Sequence, residues 1–205
     1  MKKKMTQKLF DLSNKTIILT GSAGRLGSNF AEILADAGAN LVLIDINEKE
    51  NKKLEKRITR KFKIKCISSN ANITIKKELL ELTKIIIKKF GKIDGLVNNA
   101  FYNPRTNVEQ SARRFEDYSL DLWNDVVSVN LTGVFLCSQI FGKIMAKQKA
   151  GGSIVNISSI YGINGADQRI YGDSKLNSPP SYAATKGAVV NFTKYLAAFW
   201  NRKNI

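Results

Sequence analysis

A chain of 205 residues, 43% of them apolar, can bury one sizeable core, which suits a single domain and excludes a disordered segment. It has no histidine and only two cysteines, Cys66 and Cys137, in apolar surroundings, which removes His-based triads, most zinc sites and a disulfide framework; no metal is expected. Thirty-three basic residues against 17 acidic ones leave a net charge of +16, but the lysines between positions 49 and 92 alternate with apolar residues at helical spacing and lack an aromatic–basic motif, so no nucleic-acid partner is expected.

The opening residues, MKKKMTQKLF, have a basic head but neither the apolar stretch nor the cleavage site of a signal peptide. Residues 16–27, TIILTGSAGRLG, run from apolar and β-branched residues straight into a glycine-rich turn, and a helical pattern starts at once. This is the order strand, phosphate loop, helix. Gly21 suits the tight turn, Gly24 lets backbone N–H groups approach a pyrophosphate, and Gly27 lets the helix lie close to the strand. The helix N-terminus adds unpaired N–H groups and the positive end of its dipole. Tight turns use glycine in any case, so the loop alone does not decide for a nucleotide.

Residues 25–37 read as a helix ended by Gly38. The apolar run 41–44 has the composition of a parallel strand covered on both faces, and it closes on Asp45. Asp45 lies 18 residues beyond Gly27, near where a dinucleotide fold sets an acid against the adenosine ribose. A carboxylate there accepts from the ribose hydroxyls and repels a 2′-phosphate, so NAD is preferred over NADP; the plain alternative is an acid that merely ends a strand. A lysine-rich outer helix is predicted at 48–61, a third strand at 62–67, an amphipathic helix at 73–90 ended by Gly91, and a fourth strand at 93–97 leading into Asn98-Asn99-Ala100. A long helix at 122–148, a fifth strand at 153–158 and a last helix at 181–202 complete the alternation. The apolar stretch 126–145 is interrupted by Asn130, Thr132, Ser138, Gln139 and Lys143, which predicts a buried amphipathic helix, no membrane partner and a cytoplasmic protein. The pattern is that of one α/β domain over 1–205, a doubly wound parallel sheet between two helical layers with its ligand crevice at the C-terminal strand ends.

Three polar elements fall near those strand ends. Ser158-Ser159 closes the fifth strand, Tyr182 and Lys186 share a helix face at i and i+4, and Asn130 interrupts the apolar run. Taken singly, each has a plain alternative: a strand-end turn, a surface pair, a satisfied core amide. Together they form an acid–base device. A phenol titrating near 10 is a poor base at neutrality, and bringing it toward 7 takes roughly 4 kcal/mol of phenolate stabilisation. A neighbouring lysine and an oxidised nicotinamide can supply it, and a serine hydroxyl can orient the substrate oxygen, with neither histidine nor metal.

On TGSAGRLG, Asn98-Asn99-Ala100, Asn130 in NLTG, ISS at 157–159 and YAATK at 182–186, the chain from residue 15 onward resembles the short-chain dehydrogenase/reductase family of the classical type. The resemblance implies a Rossmann fold and a homo-oligomer, dimer or tetramer, built through the two long helices. It implies Tyr182 as general acid/base, Lys186 as the residue that holds the nicotinamide ribose, Ser159 (followed by two residues and Gly162) as the family serine, and Asn130 as holder of a relay water. Cofactor contacts are implied at Gly21, Gly24, Arg25, Leu26, Gly27 and Asp45, at the adenine-contacting pair Asn72-Ile73, and at Asn98, Ala100, Tyr182 and Lys186. The expected activity is NAD-dependent interconversion of a small alcohol and ketone, with a sugar-derived substrate as the narrower reading. SPPSYAATKG further resembles oxidoreductases of surface-glycan and flagellin-sugar modification.

Four departures stand out. Arg25 occupies the middle glycine position, a spacing that resembles sugar-nucleotide-modifying relatives and keeps an epimerase open as an alternative. Phe101 replaces the glycine that usually ends the Asn-Asn-Ala motif. Tyr182 follows Ser159 by 23 residues, across an insertion holding a second Tyr-x-x-x-Lys, Tyr171 to Lys175. Gly172 and Pro179-Pro180 argue against a helix there and favour Tyr182. Finally, a sixth strand, a substrate loop and a last strand are absent from the sequence, which reads as C-terminally incomplete; a non-catalytic dinucleotide-binding protein is the alternative.

Overall fold

The structure, a computed structural model, describes residues 10–103, 114–174 and 176–205. Five parallel strands, β1 (Thr16–Thr20), β2 (Asn40–Ile44), β3 (Cys66–Ser69), β4 (Gly95–Asn98) and β5 (Ser153–Asn156), lie in the order β3-β2-β1-β4-β5. Between them run α1 (Arg25–Asp36), α2 (Glu48–Lys61), α3 (Lys76–Phe90) and the long helix α4 (Leu120–Met145); α5 (Pro180–Phe199) follows β5.

Strand alternation divides the core. Ile17, Leu19, Leu41 and Leu43 face one side and pack with Ala31 and Ala35 of α1 and Leu54 and Ile58 of α2. Ile18, Val42, Ile44 and Leu96 face the other and meet Leu79, Leu82 and Ile86 of α3 and Cys137, Ile140 and Phe141 of α4. The two core strands are thus apolar on both faces. Helix ends follow local chemistry. The Asn47 side chain accepts from the Glu50 N–H to cap α2, whose first turn carries Glu48 and Glu50 and whose last carries Arg60 and Lys61, matching the helix dipole. Helix α3 ends on Gly91 in the left-handed conformation (φ 76°).

The third strand is displaced from its expected place. Residues 62–67 were predicted, but Phe62 caps α2 and pairing with Leu41–Ile44 begins only at Cys66. The long helix is long and apolar enough to span a membrane by length and composition, yet half of its most apolar window is buried against α3, β4 and β5. Its middle turn, Ser128–Gly133, widens to a π-helix around Asn130. Pro180 does not break the last helix; it starts it, at the first helical position where a missing N–H costs nothing. Residues Gln168–Ser174 form short 3-10 turns broken at Gly172, and the Gln168 side chain is tied to the Ser178 backbone. Tyr171 therefore sits on no α-helix, and Lys175 lies outside the described residues.

Candidate active site

Strand order reverses between β1 and β4, which opens a crevice beyond their C-termini. A cleft of about 970 Å³ occupies this switch point, a size in the range of cofactor sites. Two glycines are required for its floor. Gly21 has φ 64°, and a Cβ on it would stand 2.6 Å from the Ala100 Cα; a Cβ on Gly27 would stand 2.0 Å from the Gly21 carbonyl oxygen. Gly24 precedes α1 with no side-chain cap, and the first turn of α1 has no acidic residue, so its N–H groups face the cleft without a competing side-chain acceptor. These features fit a dinucleotide pyrophosphate.

Gly21, Gly24, Arg25, Leu26 and Gly27 all line the cleft, as do Asp45, Asn72, Ile73 and Ala100. Asp45 is anchored at both oxygens, accepting from the Ala23 N–H and the Asn47 N–H at 2.9 Å each. Asn72 accepts from the Thr74 N–H and hydroxyl, while Ile73 is buried against Gly133 of α4. Asn98 departs from expectation. Its amide donates to Ser138 of α4 and Asn156 of β5, beneath the sheet end, and Asn99 lines the cleft in its place. Asn99 in turn donates to the Thr20 and Gly21 carbonyls, clamping β4 to the glycine loop.

The acid–base residues gather where α5 passes the ends of β4 and β5. Lys186 is 5% exposed; its ammonium donates to the Ile157 carbonyl at 2.5 Å and lies 5.8 Å from the ring centres of both Tyr182 and Phe101. No carboxylate pairs with it among the described residues, and burial pulls it down to about 8. Tyr182 is half-buried and meets Phe101 edge-on at 6.5 Å. Ser158 donates to the Lys186 carbonyl, whereas Ser159 accepts from the Tyr161 N–H. Among the described residues no hydrogen bond joins the Ser159 and Tyr182 hydroxyls. The Asn130 amide accepts from the Tyr102 N–H at 2.7 Å and donates to the Tyr102 carbonyl at 3.1 Å, so the side chain expected to hold water is engaged with the chain leaving β4.

The model of the family described as short chain dehydrogenase matches residues 15–205. The chain belongs to the short chain dehydrogenase family. A 5-keto-D-gluconate 5-reductase of Escherichia coli K12 is 34% identical over 197 residues, which is 96% of this chain and 70% of that protein. A 2-dehydro-3-deoxy-D-gluconate 5-dehydrogenase of Dickeya dadantii is 32% identical over the same shares. Among solved structures, an NAD+-bound xylitol dehydrogenase superposes with a TM-score of 0.81 at 27% identity, covering 95% of this chain and 68% of that one. A levodione reductase reaches 0.80 at 26% identity, covering 94% and 68%. As a short chain dehydrogenase, the protein is an oxidoreductase of alcohol and ketone groups using a nicotinamide dinucleotide.

Two residues of this dehydrogenase escaped sequence reasoning. Asn51, 0% exposed, accepts from the Ser22 hydroxyl and donates to the Leu43 and Ser69 carbonyls, joining the glycine loop to β2 and β3. Its signal was available, since Asn51, Leu54 and Ile58 form the buried face of α2 at helical spacing. Tyr118, ahead of α4, shares a 2.7 Å hydrogen bond with Ser181, next to Tyr182. Nothing in its sequence neighbourhood announced that contact.

Proposed function

We propose that the protein is an NAD-dependent oxidoreductase interconverting an alcohol and a ketone on a small polyol or sugar-acid substrate, with Tyr182 as general acid/base. The observation that carries this reading is the buried, carboxylate-free Lys186 ammonium beside the Tyr182 ring, both against Phe101, whose ring lines the dinucleotide cleft. The bound dinucleotide supplies the hydride acceptor in oxidation and the donor in reduction. Tyr182 takes the substrate hydroxyl proton as the carbon loses hydride, and returns it in the reverse direction. The Lys186 ammonium stands beside the Tyr182 ring, Ser159 orients the substrate oxygen, and Asn130 fixes the backbone that carries Phe101 and Tyr102.

Asp45 supports NAD over NADP, because its anchored carboxylate stands at the cleft edge where a 2′-phosphate would be repelled. Arg25, the first residue of α1, brings a cation to the same cleft and favours the phosphates. The substrate class rests on the gluconate and xylitol activities that the relatives' names state. The half-exposed aromatic row Phe135, Phe192, Tyr195 and Phe199 on α4 and α5 supports assembly with a second copy through these helices.

Turnover of polyols and keto sugar acids with NAD and NADH tests the reading. The wild type should turn over at least one member, and Tyr182→Phe should lose about a hundred- to ten-thousand-fold in kcat while still binding NADH. A Tyr182→Phe variant with wild-type turnover would remove Tyr182 from the chemistry.

A further inference from the structure

Phe101 stands at the junction of the two halves of the site. Its ring lines the dinucleotide cleft, touches Tyr182 edge-on at 6.5 Å and lies 5.8 Å from the Lys186 ammonium. An ammonium has three N–H donors, and among the described residues that of Lys186 has one hydrogen bond, to Ile157. The faces of Phe101 and Tyr182 stabilise the rest of a charge that is otherwise buried without a counter-ion. Tyr182 belongs to α5, as Lys186 does, so its position against the ammonium is fixed by the helix. Phe101 belongs to the chain leaving β4 and is 51% exposed, so its ring can turn toward solvent. Its backbone cannot follow, because Asn130 holds both peptide groups of the next residue, Tyr102.

We propose that Phe101 is an affinity-setting residue that competes with the nicotinamide half of the dinucleotide for the Lys186 ammonium, so that its ring must turn aside before that half is seated. The proposal rests on the dinucleotide reading of the cleft. Phe101 lines the same cleft as Asp45 and the glycine loop, but its ring contacts are with Tyr182 and Lys186, so binding of the adenosine and phosphate end should not depend on it. A small residue at position 101 frees the ammonium and leaves the adenosine end as it is; a leucine keeps bulk but lacks the π face that holds the cation.

Calorimetric titration of the full chain with NADH and with ADP, which lacks the nicotinamide half, separates these contributions. Phe101→Gly should tighten NADH by about three- to tenfold, the order expected from removing a partly desolvated cation–π competitor, and leave ADP affinity unchanged. Phe101→Leu should shift NADH in the same direction by a smaller factor, which covers the case in which the glycine variant folds poorly. Unchanged or weaker NADH binding in both variants, with ADP affinity intact, would overturn the competition and make Phe101 an ordinary wall of the site. A parallel change for NADH and ADP would also overturn it, as a general effect on the cleft. Absence of both NADH and ADP binding in the wild type would instead overturn the dinucleotide reading, and the proposal with it.

Discussion

Asn130 grips Tyr102 by both peptide groups, accepting from its N–H at 2.7 Å and donating to its carbonyl at 3.1 Å, across 28 residues of sequence. The side chain emerges from the π-turn of α4, 1% exposed, and fixes the strand end that carries Phe101. Asn130→Ala removes both hydrogen bonds at once. It should cost about 1–3 kcal/mol in urea unfolding, and Asn130→Leu, which fills the volume without the bonds, should not restore it.

Lys186 should impose a stability signature at alkaline pH. Burial lowers its folded-state pKa to about 8 from the ordinary 10.5, so between these values the unfolded chain binds more protons than the folded one. Its penalty is present in full below pH 8 and is relieved as pH rises toward 10.5. Lys186→Met removes the buried charge. The stability of the wild type relative to this variant should therefore improve from pH 7 to pH 10, by up to on the order of 3 kcal/mol, in parallel denaturant titrations. A constant difference across that range would show that the ammonium is not penalised by burial.

Asn51 is expected to act on the cofactor through Ser22. Asn51→Leu leaves the Ser22 hydroxyl and the Leu43 and Ser69 carbonyls without their buried partner, at a cost of about 1–3 kcal/mol. Because the loop rather than the cleft edge is loosened, NADH affinity of the folded protein should fall about three- to tenfold. Combining it with Ser22→Ala should cost less than the two single changes added together, since they break one shared bond.

The aromatic row on α4 and α5 predicts an association equilibrium. Ring centres of Phe192 and Tyr195 lie 6.4 Å apart and those of Tyr195 and Phe199 5.9 Å apart, and Tyr195 and Phe199 are more than half exposed. Light scattering after size exclusion should give a mass of at least two copies. Tyr195→Lys with Phe199→Lys should reduce it to one copy without loss of helix content.

Most of the architecture was legible because strand and helix periods leave distinct marks. The run 41–44 is apolar on both faces because helices cover both, and the glycine spacing follows from backbone contacts that a Cβ would break at Gly21 and Gly27. The limits are equally physical. Phe62 and Ile64 are apolar because they pack beside the core, not because they pair, so strand composition alone placed β3 too early. Asn98 and Asn99 differ only in which way they point, a consequence of period-two alternation that depends on strand register. Pro180 could end or start a helix, and only the first-turn position decides. The pairing of Asn130 with Tyr102 and of Phe101 with Lys186 joins distant segments, and local pattern holds no record of it.

The most direct test is a fluorescence titration of the wild type and Asp45→Ser with NADH and NADPH. The account predicts saturable NADH binding at least about tenfold tighter than NADPH, with the preference lost in Asp45→Ser because the carboxylate that repels the 2′-phosphate is gone. Tighter NADPH binding by the wild type, or a preference that survives Asp45→Ser, would contradict it.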